Sequence, residues 1–338
     1  MDEFYYLGAA FLAAFAITFA ITPFIIQRIR LRGLVGVDLN KLAKPKISEM
    51  GGISVLFGFS FSIMFVLGLY GFFDMQAFNL TAILAAFATV VLIGLLGLMD
   101  DLIGWKKGIE QWQHALVPIF AALPLMVLPA SIAMKSMYFP FLGEVHFGIL
   151  YALLIVPIAI TGASNAVNML AGFNGLEAGM GILIILTQLI VMLTLPVDHV
   201  GRIEVILISA AMLGALIAFL RYNWFPASIF GGDSLTLMIG ASAATIAIIG
   251  NIEKISLLLF ALFFIELVIK ARHGLKSECF GIPQKDGTLK PDPRGGSLTH
   301  WVMGRGRFTE PQVTEILLSM QGLVCVIVLL MYWFRVFF

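Results

Sequence analysis

The sequence predicts an all-α polytopic membrane protein, about ten helices crossing the bilayer, with both termini outside and the polar chemistry gathered at the cytoplasmic face. Three observations carry this expectation. Of the 338 residues, 60% are hydrophobic and 12% charged, and the mean hydropathy is +0.99, far from the balance of a soluble domain. Apolar runs of roughly 17 to 25 residues, the length needed to span, recur along the whole chain. The loops that alternate on one side contain all but four (Lys135, Arg202, Lys254 and Arg335) of the 21 basic residues, and the excess of Lys and Arg marks that side as cytoplasmic.

The first run, Phe4 to Ile26, is long enough to span and is followed by basic residues rather than a small-residue cleavage site, so it reads as a span and not as a cleavable signal. Further spans are expected near 50–70, 79–99, 115–135, 149–166, 178–196, 203–220, 234–250, 254–272 and 311–336, forming one bundle over residues 1–338 with no soluble domain. Cytoplasmic loops fall near 27–49, 100–114, 167–177, 221–233 and 273–310. The external connections are short, except that the alternation in Lys135 to Phe147 suits a small surface hairpin. The last cytoplasmic loop mixes Gly, Pro and charge, as an ordered functional loop does. A net charge of +1 gives no basic field for a nucleic acid. Cys279 in a polar loop and Cys325 in an apolar run give no disulfide framework.

Four polar motifs lie on the cytoplasmic side: DLNKLAKPKISEMGG from Asp38, MDDLIGWKKGIEQWQH from Met99, NAVNMLAGFNGLEAG from Asn165, and NWFPASIFGGDS from Asn223. In the second, a membrane-grade run ends in Asp100 and Asp101. Ionised carboxylates are costly at membrane depth unless water, metal or a cation compensates them. In the third, Asn165 and Asn168 share a helix face, and glycines that allow close backbone approach follow. In the fourth, GGD opens a span, so the backbone donors at that helix start could meet an anion while Asp233 holds a cation. Carboxylate and amide oxygens without a Cys or His cluster favour Mg2+, or Mn2+, over zinc. Each feature also has a plain structural use: a solvated cap for the aspartates, interhelical hydrogen bonding for the asparagines, topology anchors for Lys106 and Lys107. Glu266 can pair with Lys270 at i,i+4, whereas Glu315 stands inside a span without an evident partner in sequence.

In this order and spacing the motifs resemble those of the polyprenyl-phosphate N-acetylhexosamine-1-phosphate transferases. The resemblance extends over essentially the whole chain. NMLAGFNGLEAG and DLNK look like the archaeal and eukaryotic UDP-GlcNAc:dolichyl-phosphate branch, while the bacterial muramoyl-pentapeptide branch usually has Asp in place of Ala171 and a run of histidines where this chain has SLTH, ending at His300.

The resemblance implies Mg2+ ligation by Asp233 with Asn168, and Asp100 and Asp101 beside the acceptor phosphate as the catalytic pair. It implies a uracil site near Phe230 and Asn174, and places Glu49 in the nucleotide pocket. Lys41, Asn165, His114 and His300 complete the expected substrate-binding set, His114 standing where the family usually has a phosphate-binding Lys. The late loop reads SECFGIPQ in place of a Pro-Arg-His-Arg cluster, leaving Arg272, Arg294 and Arg305 as candidates for a diphosphate contact.

The implied partners are a UDP-N-acetylhexosamine, polyprenyl or dolichyl phosphate, membrane lipid and, as an open option, a second copy in a homodimer. The implied location is the plasma membrane of an archaeon or bacterium, or the endoplasmic reticulum of a eukaryote. The alternative is a cation-coupled transporter, but its acids belong near the bilayer midplane at broken helices, and no internal repeat is visible.

Overall fold

The computed structural model describes residues 2–73, 78–103, 118–128, 136–139 and 143–335. Eight of its helices are long and apolar enough to cross a membrane: α1 (Asp2–Leu31), α2 (Gly52–Phe73), α3 (Leu80–Ile103), α5 (Val156–Met169, entered through a π-helical turn, Tyr151–Ile155), α6 (Leu176–Thr194), α7 (Arg202–Asn223), α8 (Asp233–Gly250) and α12 (Glu310–Trp333). The chain is an integral, multi-pass membrane protein. The expected span at 115–135 falls largely outside the described residues, where only the short α4 (Leu123–Met126) is seen.

The expected span at 254–272 is corrected to two helices, α9 (Glu253–Leu259) and α10 (Ala261–Arg272), broken at Phe260. The reason is a side chain inserted into the helical ladder. Gln321 Nε2 of α12 donates to the Leu259 carbonyl at 3.0 Å, and Phe260, at φ −85° and ψ 11°, leaves the helical region.

α8 is the axis of the bundle. Almost every residue in it is buried, and α2, α3, α5, α6 and α7 pack around it. Two glycines set the closest crossings. A Cβ on Gly97 of α3 would lie 2.5 Å from the Asp233 carbonyl oxygen, and one on Gly240 of α8 would lie 2.2 Å from that of Ala163 in α5. Hence α3 meets α8 backbone to backbone at the end that carries Asp233, and α5 meets it about two turns further along.

On the outer flank, α1 packs on α2 and α7. Pro23 has no N–H to offer the carbonyl four residues earlier, and the freed Phe19 oxygen accepts from the Tyr222 hydroxyl at 3.0 Å.

The connections are ordered. After α1 comes an antiparallel hairpin, β1 (Val35–Val37) with β2 (Lys46–Ser48), Val35 facing Ser48. At the opposite end β3 (Ser136–Phe139) and β4 (Gly143–His146) form the hairpin expected between Lys135 and Phe147, with Ser136 facing His146. The late loop folds into a three-stranded sheet, β5 (Ile282–Pro283), β6 (Thr288–Lys290) and β7 (Phe308–Thr309), with the short helix α11 (Leu298–Met303) set before β7.

Candidate active site

The tight crossing at Gly97 delivers the two aspartates one turn later on α3 to the start of α8, where they part company. Asp101 is a clamp. Its Oδ1 accepts from the Asp233 N–H at 2.8 Å, and its Oδ2 accepts from the Ser234 N–H at 3.1 Å and the Ser234 hydroxyl at 2.7 Å. Gly232, at φ +74°, must be glycine twice over, because a Cβ there would also stand 2.5 Å from the Asp101 carboxylate. The backbone donors expected to meet a substrate anion at this helix start are therefore taken by Asp101, and that expectation is corrected: the first anion they meet is the protein's own.

Asp100 faces the other way. The Asp233 carboxylate hydrogen-bonds with Asp100 and with the amide of Asn168, and the charge of Asp101 also acts on it. Asn168 arrives from α5, one turn beyond Ser164, the residue whose Cα lies 2.5 Å from a Cβ built on Gly240. Three helices thus place two carboxylates and one amide around a single point. Two carboxyl groups in contact must share a proton or a cation, and this all-oxygen donor set suits Mg2+ or Mn2+. Among the described residues no group of three or more His, Cys, Asp or Glu side chains forms a ready-made metal site. A divalent ion at Asp233 would draw the rest of its coordination from water and substrate, as Mg2+ commonly does.

Glu49 follows β2. Its carboxylate lies over Gly36, where a Cβ would collide with it. Burial first, and the Asp101 charge second, push its carboxyl above the ordinary value. The chain on either side is zipped to the fourth motif: the Phe230 N–H donates to the Ser48 carbonyl, and Gly51 and Gly52 donate to the carbonyls of Phe230 and Gly231, each at 2.8 Å. Phe230 is thereby fixed by its backbone beside Glu49 and Asp233.

Lys41 and Asn174 belong to a second cluster. The Lys41 ammonium contacts Asp38, Glu310 Oε2 at 3.0 Å and Asn174 Oδ1 at 3.2 Å, and lies 4.8 Å from the centre of the Phe225 ring. Asn174 is 3% exposed; its Oδ1 also accepts from the Ala227 N–H at 2.8 Å, and its own N–H donates to Glu310 Oε1 at 3.1 Å. Both side chains, expected to bind substrate, are engaged with protein, and they tie the first, third and fourth motifs to the start of α12.

The late loop is held by a third cluster. The pairing of Glu266 with Lys270 expected from spacing is present at 3.5 Å. Glu266 also accepts from the Leu298 N–H at 2.6 Å, and Lys270 donates to the Met169 carbonyl at 2.5 Å. Cys279 is buried in this cluster, its Sγ 3.2 Å from the Met169 oxygen, and burial pushes its thiol up to about 11. His300 is 6% exposed. Its Nε2 donates to the Phe280 carbonyl at 3.0 Å, while Nδ1 is buried without a hydrogen-bond partner.

Asn165 donates to the Thr161 carbonyl of its own helix at 2.9 Å. His114 lies outside the described residues. Of the three arginine candidates, Arg294 is bound to Asp292 at 3.1 and 2.8 Å, Arg305 lies over the Trp301 ring, and Arg272 is exposed at the end of α10.

Three residues that sequence reasoning did not single out complete the picture: Ser234, Glu310, and Glu177, whose Oε1 accepts from the Gly172 N–H at 2.7 Å. Each sits in the first turn of a spanning helix. A polar first turn that follows a motif is the signal that could have found them.

The glycosyl transferase family 4 pattern matches residues 83–251, the stretch from α3 through α8. A Saccharolobus solfataricus protein provisionally named UDP-N-acetylglucosamine–dolichyl-phosphate N-acetylglucosaminephosphotransferase is 36% identical over 324 residues, 95% of each chain. The Dictyostelium discoideum UDP-N-acetylglucosamine–dolichyl-phosphate N-acetylglucosaminephosphotransferase is 28% identical over 95% of this chain and 85% of its own. A phospho-N-acetylmuramoyl-pentapeptide-transferase of Limosilactobacillus reuteri is 31% identical over 75% of this chain and 77% of its own.

Proposed function

The chain belongs to glycosyl transferase family 4, and from that premise we propose that it transfers N-acetylglucosamine 1-phosphate from UDP-N-acetylglucosamine to polyprenyl or dolichyl phosphate, releasing UMP. The observation that carries this reading is the convergence of Asp100, Asn168 and the Asp233 carboxylate at one end of the bundle. There an acceptor whose isoprenoid tail stays in lipid can present its phosphate. That end faces the cytoplasm by the charge asymmetry of the loops, which leaves both termini outside.

An oxygen of the acceptor phosphate attacks the β-phosphorus of the UDP-sugar. The bond from that phosphorus to the bridging oxygen breaks, and the electron pair leaves on UMP. Phosphoryl transfer of this kind asks the protein mainly for positioning and charge neutralisation. Asp233 and Asn168 would hold Mg2+, which supplies Lewis-acid neutralisation of the diphosphate and the departing UMP. Asp101 fixes the helix start that carries Asp233. Asp100, left facing the site, orients the acceptor phosphate and accepts its proton when it arrives monoprotonated. Much of a phosphate with a second pKa near about 6 is already dianionic at neutral pH, so a strong base is not required.

Glu49 and Phe230, held side by side by the backbone bonds of Phe230 to Ser48 and Gly51, border the nucleotide. His300 Nδ1, an acceptor while Nε2–H donates to Phe280, suits a late-loop contact to a hydroxyl or amide N–H of the sugar. Lys41 and Asn174 act from behind, by bracing the loops that form the pocket.

The deciding experiment is UMP release by purified protein given UDP-N-acetylglucosamine with polyprenyl phosphate, with and without Mg2+, and with Asp233→Asn as control. Release that needs both substrates and the divalent ion, and that collapses in the variant, supports the reading. Release without acceptor, or none with any UDP-N-acetylhexosamine, ends it.

A further inference from the structure

We infer that Trp301 and Arg305, on the late loop, form a contact site for the phosphate headgroup of an anionic phospholipid of the surrounding bilayer.

Depth comes first. Lys270 Nζ reaches the carbonyl of Met169, the last residue of α5, so residue 270 is level with the end of a spanning helix. Glu266 lies one turn deeper on α10, and its Oε2 accepts the Leu298 N–H at 2.6 Å. Thr299 Oγ1 donates to the Cys279 carbonyl at 2.7 Å, and Cys279 Sγ lies 3.2 Å from the same Met169 oxygen, so the start of α11 lies beside the ends of the spans, at the level where they leave the bilayer.

Direction comes second. Leu298, Thr299, His300, Val302 and Met303 are all buried, while Trp301 is 48% exposed. The one outward side chain of α11 is an indole at interfacial depth, the position Trp favours where one face meets acyl chain and the other headgroup.

Charge comes third. The Arg305 guanidinium lies 4.5 Å from the centre of the Trp301 ring and is exposed, and among the described residues it has no carboxylate partner. Stacked on one face, its planar fork keeps N–H donors free at the edge, the geometry that takes a phosphate two oxygens at a time. Arg294, by contrast, is already bound to Asp292. Of the late loop's three arginines, Arg294, Arg305 and Arg307, only Arg305 joins a free cation to an aromatic at bilayer level.

The test uses the full chain in phosphatidylcholine vesicles containing an equal mole fraction of either brominated phosphatidylcholine or brominated phosphatidylglycerol. The Trp301 signal is the fluorescence difference between wild type and Trp301→Phe. We expect this signal to be quenched by both lipids, but several-fold more by the anionic one. Arg305→Gln should make the two equal and Arg305→Lys should keep part of the preference. Both altered side chains are exposed, so the fold is retained. No quenching of the Trp301 signal by either lipid overturns the inference, as does equal quenching in the wild type or a preference that survives in Arg305→Gln. Loss of the preference on adding trace polyprenyl phosphate overturns it too, by assigning the pair to the acceptor substrate.

Discussion

Asp101 and Ser234 are joined twice: the Asp101 Oδ2 accepts both the Ser234 N–H, at 3.1 Å, and the Ser234 hydroxyl, at 2.7 Å. With the bond from the Asp233 N–H to Oδ1 at 2.8 Å, one carboxylate satisfies three donors at the start of the central helix. Its neighbour Asp100 is left to face the Asp233 side chain. Adjacent carboxylates thus do different work, one holding the site's geometry and the other exposed to its chemistry.

The two roles separate by measurement. Asp101→Ala strands the donors at the start of α8 and should cost about 2 kcal/mol of stability, seen as a lower unfolding temperature, together with a loss of turnover. Asp100→Asn should lower turnover with the unfolding temperature unchanged and UDP-sugar binding by calorimetry intact, the pattern of an interaction made mainly in the transition state. Equal destabilisation by both variants would return Asp100 to a structural role.

Asp233→Asn should reduce turnover roughly 100-fold, a typical loss for one strong electrostatic contact, and shift the Mg2+ titration to higher concentration. Asn168→Ala should follow the same direction less severely, since water can replace one neutral ligand. An unchanged Mg2+ titration in Asp233→Asn would remove the metal from that residue.

Much of the architecture is legible in sequence because lipid imposes a strong rule: apolar runs of fixed length and one-sided basic loops. The Ser136–His146 hairpin and the Glu266–Lys270 pair were legible for a similar reason, being local patterns. The break at Phe260 was not, because it depends on Gln321, far along the chain, donating to Leu259. Nor could sequence divide Asp100 from Asp101. Adjacent residues on a helix point about 100° apart, and which of them meets the backbone of α8 is decided by the crossing at Gly97. The same limit applies to Asn174: the motif marks it as important, but only the fold reveals that its side chain is used up between Lys41 and Ala227.

Glu49 offers a test by pH. Burial, then the Asp101 charge, hold its carboxyl above the ordinary value, so the folded chain binds that proton more tightly than the unfolded chain. Ionisation therefore weakens the fold: stability falls as pH rises from the unfolded value towards the raised folded one, and stays lower above it. Glu49→Gln should unfold at a higher temperature than wild type at neutral pH, with the gap closing below about pH 4. Its turnover should fall at the same time if Glu49 borders the nucleotide, a case of stability given up for function. A gap that does not change with pH would mean that ionisation of Glu49 is not its source.

The buried thiol of Cys279, pushed up to about 11 by its surroundings, is almost wholly protonated at neutral pH, and the thiolate is the reactive form. A membrane-permeant maleimide should leave it unlabelled in the native protein. Glu266→Ala removes an acceptor that holds the Leu298 N–H, so labelling should then appear as the late loop loosens. Rapid labelling of Cys279 in the wild type would show that the third cluster is not closed.

Lys41 separates a brace from a substrate contact. Among the described residues its ammonium is the one cation paired with Asp38 and Glu310, and Glu310 is 2% exposed, so Lys41→Met leaves two acids facing each other. Breaking a buried pair from one side costs about 3 kcal/mol or more, and the unfolding temperature should drop accordingly. Adding Glu310→Gln removes one of the stranded charges and should restore part of the loss, a coupling that a double-mutant cycle measures directly. A lysine that instead touched the nucleotide would raise the KM for UDP-N-acetylglucosamine without moving the unfolding temperature, and Glu310→Gln would not compensate. The two accounts predict opposite columns of the same small table of variants, because a brace acts on the folded chain whether or not substrate is present, whereas a binding contact acts only when it is.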